Sequence, residues 1–243
     1  IKRTFTMFRR AVILAGGLGT RLRPYSISLP KPLMPVGEFP ILEIIVRQLV
    51  FFGFSHITMA VNHQAEIIKA YFQGGERWGA SIDYSLEVHA LGTIAPLSLI
   101  CDLPENFLLM NGDVLTDLNY SELFDFHISS KNIFTIASHS RDQKIDYGVL
   151  ETNSHGQLIG FHEKPVSTYL VSMGVYVANR DIATFIPKEQ KYGFDDLMLD
   201  LIKAGKPARI SEHGGYWLDI GRPEDYIKAT EEFEGMKERF LLV

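Results

Sequence analysis

Three glycines in four positions, Gly16, Gly17 and Gly19, stand directly after a short apolar run that ends in Leu14 and Ala15. Glycine leaves the backbone N–H groups uncovered and lets them bend around an anion at close range. Thr20 follows, and Arg21, Arg23 and Lys31 add fixed positive charge to the same segment. Pro24, Pro30, Pro32 and Pro35 restrict it, which reduces the entropy lost when it closes on a ligand. The chemistry implied is a polyphosphate cradle built from Leu14, Ala15, Gly16, Gly17, Gly19 and Thr20, with Arg21 and Lys31 as its charges. The Walker pattern is absent, because no Gly is followed at the right distance by Gly-Lys-Ser/Thr. The dinucleotide fingerprint fails as well, since the third position after Gly19 is Leu22 and not a small residue.

Two carboxylates stand in related contexts. Asp113 follows the apolar run 107–110 and Asn111-Gly112, and Asp219 lies in Tyr216-Trp217-Leu218-Asp219-Ile220-Gly221. Offered at loop ends, they could hold a Mg²⁺ ion, which takes one or two carboxylates and completes its shell with phosphate oxygens and water. Each is also compatible with a turn or capping aspartate. Glu163-Lys164-Pro165 closes a predicted strand, either as a solvated turn or as a lysine for a phosphate and a glutamate for sugar hydroxyls.

The elements that must position these residues alternate. Residues 11–15 read as a buried parallel strand, 41–49 as a helix ended by Gly53, 56–61 as a strand, 65–72 as a helix, 81–85 and 107–110 as strands. This alternation predicts an α/β, Rossmann-like, mostly parallel sheet with helices on both faces. Ligands in such sheets sit beyond the carboxyl ends of the strands, where the glycine loop and Asp113 both lie. From residue 134 onward the predicted strands 134–138, 148–152, 157–162 and 170–178 come with fewer helices, and Asn153 and Gly156 mark a hairpin turn. They read as a small β-rich lobe. Residues 195–204 and 223–240 read as helices, the second with Pro223, Glu224 and Asp225 in its first turn. One domain over 1–243 is expected, divided at about 9–133, 134–222 and 223–243.

A chain of 243 residues, 46% hydrophobic, can bury a large core. Its net charge of -5 argues against sequence-independent nucleic-acid binding, which needs a basic face. No apolar run reaches the roughly 18 residues of a membrane span, and the basic start Lys2, Arg3, Arg9, Arg10 is not followed by a cleavable signal. The one cysteine, Cys101, reads as a small buried hydrophobe in a reducing compartment, so a cytoplasmic location is expected. The eight histidines show no metal-ligand spacing and read as surface or structural residues, and Trp78 and Trp217 as packing residues. There is no G-x-S-x-G and no Cys-His pairing for hydrolytic chemistry.

The segments Gly16-Gly17-Leu18-Gly19-Thr20-Arg21-Leu22-Arg23-Pro24 and Pro30-Lys31-Pro32-Leu33-Met34-Pro35-Val36 together resemble the signature of the sugar-1-phosphate nucleotidyltransferases, the nucleotide-sugar pyrophosphorylases. The resemblance implies transfer of a nucleotidyl group from a nucleoside triphosphate to a sugar-1-phosphate, with Arg21, Lys31 and Asp113 as catalytic residues. It implies Mg²⁺ on Asp113 and Asp219, nucleotide contacts from Gly92, Thr93 and Gly112, and a sugar-phosphate clamp at Glu163 and Lys164. Tyr147-Gly148-Val149 resembles the segment whose glycine lets the sugar approach, and Met173-Gly174-Val175-Tyr176 a strand that lines the sugar pocket, with Ser172 where relatives commonly carry Asn. Leu91-Gly92-Thr93 and the ending 217–226 resemble guanylyltransferases for mannose and heptose phosphates, which implies GTP; Ile94-Ala95 replaces the smaller Ala-Gly of many relatives. A uridylyl- or cytidylyltransferase is the close alternative. A catalytically silent nucleotide-sugar sensor is the alternative of another class, although such proteins typically lose the Arg, Lys or metal Asp. The C-terminal helix reads as the end of the fold, without the hexapeptide-repeat domain of some relatives, and a homo-oligomer is compatible with the family.

Overall fold

The computed structural model describes residues 9–17, 19–22, 29–62, 64–87, 89, 91–188, 190–206 and 208–242; Lys2, Arg3, Leu18, Arg23, Pro24 and His63 lie outside them. In chain order the elements are β1 (Arg10–Leu14), β2 (Pro35–Val36), β3 (Phe39–Pro40), α1 (Ile41–Phe51), β4 (His56–Val61), α2 (Ala65–Phe72) and β5 (Ser81–Leu86). Then follow β6 (Asn106–Asn111), β7 (Val114–Thr116), α3 (Tyr120–Ser130), β8 (Phe134–Lys144), β9 (Gly148–Thr152) and β10 (Leu158–Glu163). The chain continues through β11 (Val166–Asn179), α4 (Phe194–Lys203), β12 (Arg209–Glu212), β13 (Trp217–Asp219) and α5 (Pro223–Leu241).

The main sheet has the order β12-β8-β11-β6-β1-β4-β5. β1 pairs in parallel with β4 and β6, β4 with β5, and β12 with β8, whereas β11 runs antiparallel to both β6 and β8. The sheet is therefore mixed and mostly parallel. β1 is central, and Ala11, Val12 and Ile13 are fully buried, as a strand covered on both faces requires.

Period-two alternation sorts the strand side chains into two cores. Ala11, Ile13, Leu108, Met110, Val175 and Val177 pack toward α1, α2, α3 and α5, through residues such as Ile45, Phe72, Leu123 and Phe233. Val12, Phe107, Leu109, Tyr176 and Ala178 pack on the opposite face against Leu197 and Leu201 of α4 and against Ile94, Ala95 and Leu97. Helices cover both faces. Ile94 is fully buried, so the exchange of a smaller residue for isoleucine is absorbed by this second core.

Several features depart from the sequence reading. α3 was not expected; Asn119 caps it, its side-chain oxygen accepting from the N–H groups of Ser121 and Glu122. β8 and β11 run past their predicted ends and form a long antiparallel ribbon whose outer half is largely exposed, which weakens the alternation signal. Cys101 is exposed and not buried, because Leu97 and Ile100 take the inward positions of that segment. Among the described residues, no helix is long and apolar enough to cross a membrane.

His127 is a structural histidine. It lies on the buried face of α3, with Nδ1 2.8 Å from Thr135 Oγ1 and Nε2 3.1 Å from Asn106 Oδ1, and burial pushes its pKa down to about 4. α5 is tied down by Asp117, just after β7. Its Oδ1 accepts from His213 Nε2 at 2.8 Å and from the Tyr216 N–H at 2.7 Å, and its Oδ2 pairs with Arg239 of α5. Burial raises the Asp117 pKa, but the His213, Arg239 and Tyr216 donors outweigh it and hold the carboxyl below the usual range. A depressed folded pKa stabilises the protein above the unfolded value, near 4, and that contribution is lost as pH falls through the lower folded value. Asp117→Asn should therefore cost about 2 kcal/mol at pH 7, a Tm drop of roughly 5 °C. In melts across a pH series, the gap to the wild type should close below pH about 4.

Candidate functional site

The carboxyl ends of β1 and β6 lie side by side, with Leu14 opposite Asn111, and the Gly112 N–H donates to the Leu14 carbonyl at 2.9 Å. A cleft of about 290 Å³ opens beyond them. Leu14, Ala15, Gly17, Gly19 and Arg21 line one side, Asn111, Gly112 and Asp113 another, and Lys31, Pro32, Thr93 and Gly221 complete the wall. Two halves of the glycine and proline motif thus meet the Asn-Gly-Asp turn.

Short turns aim the cations. Arg21 sits in the 3-10 turn Thr20–Leu22, closed by the Leu22 N–H on the Gly19 carbonyl, where Gly19 has φ +60°. Buried Leu22 anchors the turn and leaves Arg21 outside, 62% exposed, with Nη2 3.8 Å from Asp219 Oδ2. Lys31 opens a second such turn, Lys31–Leu33, anchored by buried Pro32 and Leu33, and its ammonium pairs with Asp113 Oδ2. Both members of that pair are largely buried. The charge of each is therefore held against a partner, as burial requires.

The two aspartates are brought together by the ribbon of β7 and β13, in which Asp219 lies opposite Val114 and the Ile220 N–H donates to the Asp113 carbonyl at 2.9 Å. Asp219 is further fixed from both sides. Its Oδ1 accepts from the Gly221 N–H at 2.9 Å, and its own N–H donates to Asp225 Oδ2 at 3.1 Å. Asp225 is buried in the first turn of α5 and accepts two bonds of 2.8 Å from Arg141, which raise the arginine's pKa. Sequence reasoning missed this Arg141–Asp225 support, reading Asp225 only as a helix-start residue. Trp217 packs as expected, its indole N–H donating to the Met173 carbonyl at 2.9 Å.

Among the described residues, no group of three or more His, Cys, Asp or Glu could hold a metal ion. A tetrahedral all-protein zinc site does not fit this donor set. Two carboxylates at adjacent loop ends, Asp113 lining the cleft and Asp219 beside Arg21, do fit an ion that takes its other ligands from phosphate and water.

The remaining candidate residues fall into three positions. Gly16 and Gly92 lie behind the cleft wall: a Cβ on Gly16 would stand 3.1 Å from Asn62 Cβ, and one on Gly92, at φ +102°, 2.8 Å from the Tyr192 carbonyl oxygen. Thr93 Oγ1 accepts from the Phe194 N–H at 2.9 Å, which ties the segment to the start of α4. Ser172, Gly174 and Tyr176 lie on β11 at a register shift against β8. Gly174, at φ +75°, leaves room for the Asn111 side chain, and Ser172 Oγ donates to Tyr176 Oη at 3.0 Å. Burial pushes the Tyr176 pKa up to about 12, the Ser172 hydrogen bond lowers it and nearby Asp113 adds to the rise, so its phenol keeps its proton at neutral pH. Gly148, Glu163 and Lys164 are exposed on and beside the β9–β10 hairpin, with Gly148 opposite Glu163, and do not line the cleft. Lys164 has φ +46°, a conformation costly for a residue with a side chain.

A family model described as nucleotidyl transferase matches residues 10–235. The chain is 32% identical to a UTP–glucose-1-phosphate uridylyltransferase of Synechocystis sp. and 28% identical to a mannose-1-phosphate guanylyltransferase of Mycobacterium tuberculosis. Those matches cover 90% and 91% of this chain, and 62% and 64% of the two relatives, so it spans less than two-thirds of their length. Among solved structures, HddC from Yersinia pseudotuberculosis, complexed with GMP-PN, matches with a TM-score of 0.73 at 26% identity, covering 93% of this chain and 99% of that one.

A Cβ on Gly221 would fall on the Lys31 ammonium. Gly221→Ala should therefore displace the lysine while leaving the fold intact, since the end of a flexible side chain gives way easily. The expected result is at least tenfold weaker binding of a nucleoside triphosphate in calorimetric titration, with Tm within about 3 °C of the wild type.

Proposed function

The chain belongs to the nucleotidyl transferase family, and from that membership we propose that it transfers a nucleotidyl group from a nucleoside triphosphate to a sugar-1-phosphate. The observation that carries this reading is the meeting of Gly17, Gly19, Arg21 and Lys31 with Asn111, Gly112 and Asp113 in one cleft. A phosphate oxygen of the sugar-1-phosphate attacks the α-phosphorus, the bond from that phosphorus to the bridging oxygen breaks, and pyrophosphate leaves. The attacking oxygen is already anionic, so no general base is needed. The task is to bring two polyanions into line and to neutralise charge building on the phosphates.

The glycine-loop N–H groups, Arg21 and Lys31 hold the triphosphate. The proposed nucleotide half, about 9–133, contributes all of them. Asp113 and Asp219 would hold a Mg²⁺ ion, which when bound screens phosphate charge as a Lewis acid. Gly148, Glu163, Lys164, Ser172, Gly174 and Tyr176, from the proposed sugar half at about 134–222, receive the sugar-1-phosphate. In support, Lys164 is a compact cation held at a strained turn, and the protonated Tyr176 phenol is a hydrogen-bond donor beside Asp113. The remaining segment, 223–243, supports the site through Asp225 at the start of α5.

For the substrates, we propose GTP and a hexose- or heptose-1-phosphate. Leu91-Gly92-Thr93 supports GTP, as do the name of the mycobacterial relative and the GMP-PN complex of HddC. The Synechocystis relative, a uridylyltransferase, makes UTP the competing base.

Pyrophosphate release in Mg²⁺, with each nucleoside triphosphate against a panel of sugar-1-phosphates, tests the reading. One productive pair is expected. Arg21→Ala and Asp113→Asn should each lower the rate about a hundredfold or more while Tm stays close to that of the wild type. Nucleotide binding without release for any pair would favour a sensor over an enzyme.

A further inference from the structure

A second recess lies at the opposite end of the sheet from the cleft. β6 begins in it at Asn106 and ends in the cleft at Asn111, which sets the two places about 17 Å apart along that strand. Two adjoining grooves, of about 450 and 270 Å³, share Lys131, Asn132 and Asn179. Lys206 and Asp181 stand on the larger, Glu105 and Asn106 on the smaller. The backbone beneath them is fixed, with the Asn179 N–H donating to the Ile133 carbonyl at 2.9 Å and the Arg180 N–H to the Glu105 carbonyl at 2.8 Å. Asn106 Oδ1 accepts from Asn179 Nδ2 at 3.2 Å and lies 3.1 Å from His127 Nε2, so the side chains at the base are fixed as well.

Three observations set this recess apart from a solvated furrow. Lys131 caps the end of α3 at φ +51°. A cap alone is best served by glycine, whereas this chain places a long cation there at a conformational cost. Asn132 Nδ2 is shut off from water and has no acceptor among the described residues, a cost that an oxygen of a ligand would remove. Neither Lys131 nor Lys206 pairs with a carboxylate among the described residues, and Lys206 stands 5.9 Å from the Phe185 ring.

We propose that this recess binds a sugar monophosphate, with the phosphate on Lys131, Lys206 and the Asn132 amide and the sugar hydroxyls on Glu105 and Asp181. Ammonium and amide N–H groups are donors, and phosphate oxygens are their matching charged acceptors. The two carboxylates repel a phosphate but accept from hydroxyls. A ligand that satisfies both sets needs negative charge at one end and several O–H donors at the other. Inorganic phosphate leaves the carboxylates unmatched, and a free sugar leaves the lysines unmatched. The recess shares no lining residue with the cleft, so this inference stands or falls apart from the activity proposed for it.

Hydrogen–deuterium exchange of the whole chain, read peptide by peptide by mass spectrometry, tests this with mannose-1-phosphate, inorganic phosphate and mannose, each added alone. Mannose-1-phosphate should slow exchange at 131–134 and 179–182, with half-saturation roughly tenfold or more below that of phosphate or mannose. Lys131→Gly and Lys206→Gln should each raise that half-saturation about fivefold or more. Glycine suits the left-handed turn better, so Lys131→Gly should melt at or above the wild-type Tm, which separates a lost ligand contact from a lost fold. Absence of protection at both segments would overturn the inference, as would protection unchanged in both variants. Phosphate matching mannose-1-phosphate would overturn it too, as the mark of a simple anion furrow. Protection confined to 111–113 and 163–164 would overturn it while favouring the cleft as a sugar-phosphate site. Protection at the recess, in a chain that releases no pyrophosphate with any substrate pair, would uphold this inference and count against the proposed activity alone.

Discussion

The hydrogen bond from the Gly112 N–H to the Leu14 carbonyl, 2.9 Å long, joins the two strand ends on which the site depends. It places the glycine loop and the Asn-Gly-Asp turn at one edge of the sheet, with no side chain between them. A Cβ on Gly112 would meet the Leu14 carbonyl oxygen at 3.3 Å and Ile13 at 3.4 Å, tighter than or at the limit of ordinary contact. The parallel pairing of β1 with β6 holds that edge in register, and side chains packed on both faces hold the pairing. Loops alone could not place Arg21, Lys31 and Asp113 around one cleft so closely, because loop backbone is the part of a fold with fewest fixed contacts.

The second strand pair extends the same logic. β7 leaves the sheet edge directly after Asp113, and its pairing with β13 brings Asp219 back beside Asp113 across a long stretch of chain. Asp225 then links this ribbon to β8 through Arg141, so the antiparallel half of the sheet and the start of α5 both hold Asp219. A buried carboxylate with two charged bonds from a guanidinium and one from a backbone N–H has little freedom to turn. The support is rigid, and the exposed Arg21 side chain is the adaptable member of the site.

Much of the sheet was legible because buried parallel strands are short apolar runs, and β1, β4 and β6 are such runs bounded by glycine, proline or polar residues. The glycine-lined wall of the cleft was legible for a different reason: close backbone approach excludes side chains, so it leaves glycines in the sequence as its record. α3 was less so, since its buried Tyr120, Leu123, Phe124 and His127 follow helical spacing but are mixed with serines and a second phenylalanine that is only half-buried. The outer ribbon of β8 and β11 gave little signal because exposed strands do not need an apolar face. Arg141 and Asp225 were not legible as the support of Asp219. Each has its role from a partner reached through tertiary packing, and no spacing rule carries a pair such as Arg141 and Asp225, 84 residues apart.

Charge balance explains how an acidic chain could present the proposed polyanion site. The chain carries a net charge of -5, yet at the cleft Lys31 faces Asp113 and Arg21 approaches Asp219. Paired in this way, the four groups sum to nearly zero, and the glycine-loop N–H groups are dipoles that add partial positive charge. A wholly cationic cleft would hold a triphosphate tightly in every state and gain nothing at the step where charge moves from the α-phosphorus to the departing pyrophosphate. Binding energy that is equal in the ground and transition states does not speed the chemical step. A cleft in which each cation is shared between a carboxylate and a phosphate can instead shift its interaction toward whichever oxygens carry the charge. In the proposed reaction, the near-neutral arrangement of Lys31, Asp113, Arg21 and Asp219 is thus suited to turnover more than to tight storage of nucleotide.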